Sequence, residues 1–345
     1  MARLPHKLIF FVAGLLLLAI NFAGLFVSLR NPAIYAEKKG LSAEHLSLTA
    51  AELLRAAERR PGETAEGYVV RLNEAVGKGI AYYWADEGVE KYNLRVPARE
   101  NYLLFLASYA LPRYYRKYEF SDQYKNIERG VGLCSLHATV IDTLLKEHGV
   151  DSRVVLLDHH VVAMARVGEA PVRWWIVDPG LGVVVKHDLG EIERDTNLIK
   201  PYYLERGYSR EYVDWLAGVY GKEGNVVFDG AREYLPRRLR YVERVSYVLK
   251  WIIPVILIAP LALSYRRGKY RPAGVSTLGR SRTLRRAAPA GRLFRSIVPA
   301  QALSTPRRDH AQIKLLVAFG HLADRPPRDA GARRARALAR GVLEQ

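Results

Sequence analysis

Two long apolar stretches, one near the N-terminus and one beyond residue 244, constrain how this chain can fold more than anything else in it. Residues 8–29, LIFFVAGLLLLAINFAGLFVSL, carry no charge and only Asn21 and Ser28 as clearly polar side chains. At ~1.5 Å per helical residue, such a run crosses a hydrocarbon core of ~30 Å. It is longer than the ~7–15-residue core of a secretory signal and no Ala-x-Ala site closes it, so the reading is an uncleaved anchor rather than a signal peptide. The second stretch lies within 245–265 and is most apolar at 251–263. A membrane helix tolerates Pro254 and Pro260 better than a soluble one, Lys250 can snorkel, and Trp251 and Tyr265 suit the interface. The Arg266-Arg267-Gly268-Lys269 stop that follows argues against a buried core helix.

The formal charge of +18 belongs to the ends. The first 30 residues hold three basic groups and no acidic ones, and residues 266–345 hold 19 basic and four acidic ones, which leaves residues 31–265 balanced at 31 of each. That middle gives no sign of nucleic-acid binding, and no specific nucleic acid partner is expected. Basic flanks at Arg3 and Lys7 and in the tail place both termini on the cytoplasmic side. The expectation is a two-pass protein of the cell inner (cytoplasmic) membrane. The lipid bilayer is its partner, and its middle is periplasmic or extracellular. The tail is interrupted by Pro272, Pro289, Pro299, Pro306, Pro326 and Pro327. It reads as a disordered arm beside anionic lipid headgroups, with short amphipathic helices at 311–323 and 332–343. A nucleic-acid or partner arm and a read-through extension are the alternatives for it.

Within the middle, helices are expected at 42–60 (capped by Ser47 or Thr49), 64–83, 99–109 and 209–220, with 111–127 an irregular lead-in. A further helix opens at Cys134, and short strands follow at 152–157, 160–167, 173–177 and 182–186. No internal repeat is visible.

Cys134 is the only cysteine in 345 residues. Outside the cytoplasm a pair of cysteines tends to oxidise, and a single one has no internal partner and stays free for chemistry. A thiol at a helix N-terminus is favoured as thiolate, and the N–H groups around Gly130, Gly132 and Cys134 could hold an oxyanion. His160 opens a strand and Asp178 ends the next, where Pro179 stops pairing, so two antiparallel strands could bring them side by side. Strand neighbours face opposite sides, so only one of His159 and His160 can meet the thiol. Each residue also has a plain use: Cys134 as a packing thiol, Asp178 as a turn cap before Gly180, His137 and His148 as packing or helix-surface groups. A zinc site from Cys134, His159 and His160 fits poorly, because the adjacent histidines diverge.

Four elements together resemble the transglutaminase-like branch of the papain-like superfamily. They are Gly132-Leu133-Cys134, Gly149-Val150-Asp151-Ser152-Arg153-Val154, His160-Val161-Val162-Ala163 and Trp174-Trp175-Ile176-Val177-Asp178-Pro179. The resemblance covers residues 120–190 and implies an α+β papain-like/transglutaminase-like core, a Cys-bearing helix packed on a small antiparallel sheet, between two transmembrane helices. It implies Cys134 as nucleophile, His160 as general base and acid, and Asp178 as orienter, with no cofactor and no metal. The implied activity is that of a thiol enzyme acting on an amide or ester in a protein, peptide or glycopeptide through a thioester, in envelope or exopolysaccharide processes. A catalytically silent domain that binds or scaffolds an envelope partner is the alternative. The sequence departs from the family in having Glu128 where an oxyanion Gln often stands six residues before the Cys, with Gln123 and Tyr124 as nearby substitutes. Val162 and Met164 also stand where many relatives have Trp and Glu. The expected division is an anchor at 1–30, a helical lead-in at 31–119, the core at 120–230, a juxtamembrane and second transmembrane helix at 231–265, and the tail at 266–345.

Overall fold

The computed structural model describes residues 6–36, 46–83, 85–221 and 224–269; residues 270–345, with the tail helices expected there, lie outside the described residues. The first apolar run forms α1 (His6–Gly24). α2 (Ala50–Ala57) starts where Thr49 and Glu52 close a capping box, and residues 42–45 of the expected helix fall outside the described set. α3 (Ala65–Gly79) starts at its cap Thr64 but stops short of residue 83. The amides of Ala81 and Tyr83 instead donate to the Gly130 and Gly132 carbonyls, at 2.9 and 3.1 Å, so Ala81–Tyr82 becomes a strand, β1. Long-range pairing overrides helical periodicity there.

The stretch expected to be irregular holds helices. α4 (Gly88–Lys91) and α5 (Ala98–Ala110) precede α6 (Pro112–Tyr115), which begins on a proline. α7 (Gln123–Arg129) is capped by Asp122, which accepts from the Tyr124 amide, and ends at Gly130, whose φ of 71° is left-handed. β2 (Val131–Gly132) runs parallel to β1 and delivers the chain to α8 (Cys134–Glu147).

The rest builds a five-stranded antiparallel sheet. β3 (Ser152–Leu156), β4 (Val161–Glu169), β5 (Val172–Asp178) and β6 (Val183–Val185) follow in sequence. Three helices then pack on the sheet: α9 (Leu189–Arg194), α10 (Lys200–Glu205) and α11 (Arg210–Tyr220). β7 (Val226–Phe228) returns beside β3, giving the order β6-β5-β4-β3-β7. Alternation along β4 divides the core. Ala163, Ala165 and Val167 meet Leu136, Val140 and Leu144 of α8 on one face, while Val162 and Met164 meet Ile192, Tyr203 and Leu216 on the other. The fold is α+β.

After α12 (Ala231–Tyr234) comes α13 (Arg237–Lys269), which starts well before the apolar stretch and contains Pro254 and Pro260. α1 and the span Arg237–Leu261 are long and apolar enough to cross a membrane. They pack antiparallel. Gly14 lies so close to α13 that a Cβ there would come within 2.7 Å of Ile258 and of the Pro254 carbonyl. Asn21 donates to the Lys250 carbonyl at 2.6 Å, and Phe22 meets Trp251 edge to face.

Candidate functional site

Cys134 occupies the first turn of α8 and is half-buried, beside Ala138, Val161, Tyr234 and Leu235. Leu133 gives α8 no side-chain cap. Glu119 instead holds the residues on either side of Cys134: it accepts from the Ser135 hydroxyl at 2.8–2.9 Å and from the Leu133 amide. Burial pushes the Glu119 carboxyl upward, against these hydrogen bonds.

His160 is buried and lies just before β4, at the end of the sheet. Continuing the Ala163–Val177 register by one step sets Asp178 opposite Val162, two residues from His160. From there Asp178 faces the layer of Tyr203 and Tyr220, and the His160 ring reaches between that layer and α8. Its Nε2 is 2.7 Å from Asp178 Oδ2, and the Cys134 sulfur lies within hydrogen-bonding reach of the same ring. Burial alone would push the imidazole down. The Asp178 carboxylate and the Cys134 sulfur outweigh it and push the pKa up to about 10. His159 has a left-handed φ of 68°, is exposed, and lies 3.4 Å from Asp158.

Three donors orient Asp178. Besides His160, the Tyr203 hydroxyl donates to Oδ2 at 3.0 Å and the Leu181 amide to Oδ1 at 3.3 Å. Tyr203 and Tyr220 share a further hydrogen bond of 3.1 Å. Burial, reinforced by the Asp178 charge, holds the Tyr203 phenol well above its usual range, so it remains a donor. Asp178 does contact the following turn, as the capping reading expected, and it also holds His160.

The structure brings Cys134, His160 and Asp178 together, but the oxyanion candidates fare differently. The Gly130 amide donates to the Asn126 carbonyl and the Leu133 amide to Glu119. Glu128 accepts from the Leu29 amide, Gln123 from Thr139, and Tyr124 reaches Glu147 at the far end of α8. All three are held by other partners. Sequence reasoning missed Tyr82, whose hydroxyl is hydrogen-bonded to the Cys134 sulfur and whose pKa is raised by burial first and by that sulfur second. Its ring stacks on His137, with centroids 5.6 Å apart, and His137 in turn contacts the Leu133 and Ile80 carbonyls at 2.8 and 3.0 Å. Gly180 packs so closely under Tyr82 that a Cβ would approach the ring to 2.7 Å. The β1–β2 pairing sets Tyr82 beside Gly132, two residues from the thiol. No local pattern announces such a residue, because its place is set by a pairing between segments distant in sequence.

No family model matches the chain, and no curated protein and no solved structure matches it.

Proposed function

We propose that the chain is a membrane-anchored, transglutaminase-like thiol enzyme with its core outside the cytoplasm, opening an amide or ester bond through a thioester on Cys134. One observation carries the reading: His160 bridges a buried carboxylate and the lone thiol at a helix N-terminus. With Nε2 held by Asp178, Nδ1 is left for the sulfur. The thiolate attacks the carbonyl carbon, and the carbonyl oxygen becomes an oxyanion. The Tyr82 hydroxyl and the Cys134 amide, which has no intrahelical acceptor at this position, donate to it. As the carbon–nitrogen or carbon–oxygen bond breaks, His160 passes the Nδ1 proton to the leaving amine or alkoxide. Water or an acceptor amine then loses a proton to His160 and attacks the thioester, releasing the acyl group and restoring the thiolate. Asp178 keeps the ring oriented and offsets its charge throughout. The antiparallel α1–α13 pair fits a two-pass anchor with both termini on one side.

Trapping the acyl-enzyme tests this. The detergent-solubilised full chain, mixed with p-nitrophenyl acetate and digested for mass spectrometry, should carry an acetyl group on Cys134. The adduct should vanish in Cys134→Ser and fall sharply in Asp178→Ala with the fold retained. An unmodified Cys134 in the parent would leave the domain as a silent binding or scaffolding module.

A further inference from the structure

We infer that α5 and α6 form a third membrane-seated element, a hairpin lying in the lipid interface against the two spanning helices. The inference rests on the reading that α1 and α13 cross the bilayer. Its starting point is depth. Asn21 and Tyr102 both donate to the Lys250 carbonyl, at 2.6 and 3.3 Å, so the start of α5 lies level with the last turn of α1. Gly24 is packed against the Arg99 carbonyl with no room for a Cβ. Past Gly24 the apolar sequence continues into a turn, Leu25, Phe26 and Val27, all exposed, Phe26 at 86%. Three consecutive exposed large apolar residues in the turn that follows a spanning helix belong in lipid. The start of α5, at Gly24, is therefore inside the lipid boundary.

The chemistry of α5 fits that depth. Residues 101–111, NYLLFLASYAL, contain no charge. Asn101 breaks the helix and recaps it, accepting from the Leu103 and Leu104 amides at 3.1 and 3.2 Å and donating to Ser246 at 2.9 Å. Lys250 donates to the Glu100 carbonyl at 2.6 Å. Asn101 with Ser246, and Lys250 with the Glu100 carbonyl, are thus paired with one another, which suits a low-dielectric setting. Leu104 and Ser108 face the domain, whereas Leu106, Tyr109 and Leu111 are 59%, 60% and 52% exposed. A helix that carries charge only in its first turn, buries a serine and presents leucines outward has the wrong face for water and the right one for acyl chains. Arg113, Tyr114 and Arg116 follow at once, exposed, with the chemistry of lipid phosphates and of the interfacial aromatic belt.

The test places single cysteines in a full-length Cys134→Ser background. Leu106→Cys and Leu111→Cys report on the hairpin, Val12→Cys on α1, and Glu211→Cys on α11. Each is labelled with an NBD fluorophore in phosphatidylethanolamine–phosphatidylglycerol vesicles, then quenched by doxyl lipid or aqueous iodide. Labels at 106 and 111 should be quenched by the lipid like that at 12 and escape iodide, with the reverse at 211. Lipid quenching at 12 but iodide quenching at 106 and 111 would overturn the hairpin alone. Iodide quenching at 12 would overturn the spanning reading and the hairpin with it.

Discussion

The Tyr82 hydroxyl rests on the Cys134 sulfur, and a hydroxyl there can either hold the resting thiol in place or donate to the oxyanion during reaction. Tyr82→Phe separates the two. It keeps the ring on His137 and removes only the donor. Loss of one oxyanion donor lowers acylation by about 10²–10³-fold, whereas alkylation of the thiol, which forms no oxyanion, should stay within a few-fold of the parent. Equal losses in both reactions would assign Tyr82 to positioning only. His160 gives a pH signature. Its folded pKa of about 10 lies above the ordinary value of 6.5, so the stability its charged form contributes is complete below pH 6.5. That contribution declines as pH rises and is gone above about pH 10. The thermal midpoint of the parent should therefore exceed that of His160→Gln by most at acid to neutral pH, and the gap should narrow towards pH 10. A gap that widens with pH would mean that the ring is neutral in the folded protein.

At the scale of elements, Arg30 fastens the chain just after α1 to the core. Its guanidinium donates to the Leu48, Gly79 and Ile127 carbonyls at 2.7–2.9 Å, and its Nε to the Glu128 carbonyl at 3.2 Å. The left-handed Gly130 lets it come this close; a Cβ there would lie 2.3 Å from the guanidinium. Arg30→Ala strips a charged donor from several carbonyls and should remove on the order of 3 kcal/mol, read as a lower thermal midpoint of the solubilised full chain. An unchanged midpoint would mean that water replaces the guanidinium without loss. The same region shows what sequence could and could not reveal. α8, β3, β4 and β5 were legible because helical and alternating periodicities there coincide with the tertiary layers. α7 was missed although Asp122 and Gly130 bracket it, because the Tyr- and charge-rich stretch masked its caps. Cys134, His160 and Asp178 were legible as types at strand and helix ends. Tyr82, Glu119 and Tyr203 were not, since each reaches the site only through tertiary packing.

For the whole molecule, the second apolar helix and the thiol share one polar framework. Glu243 of α13 accepts from the Tyr118 hydroxyl and the Ser121 and Asp122 amides at 2.7–3.1 Å. That loop carries Glu119, which holds Leu133 and Ser135 on either side of Cys134. The site is thus built directly on the root of a candidate membrane span, and it should be measured in the full chain. The most direct measurement is the rate of iodoacetamide alkylation of Cys134 at pH 7 in vesicles, followed by mass spectrometry. The parent should react much faster than His160→Ala and faster than the same chain unfolded in denaturant, while His159→Ala should match the parent. Equal rates in the parent, His160→Ala and the unfolded chain would contradict an activated thiol at this site.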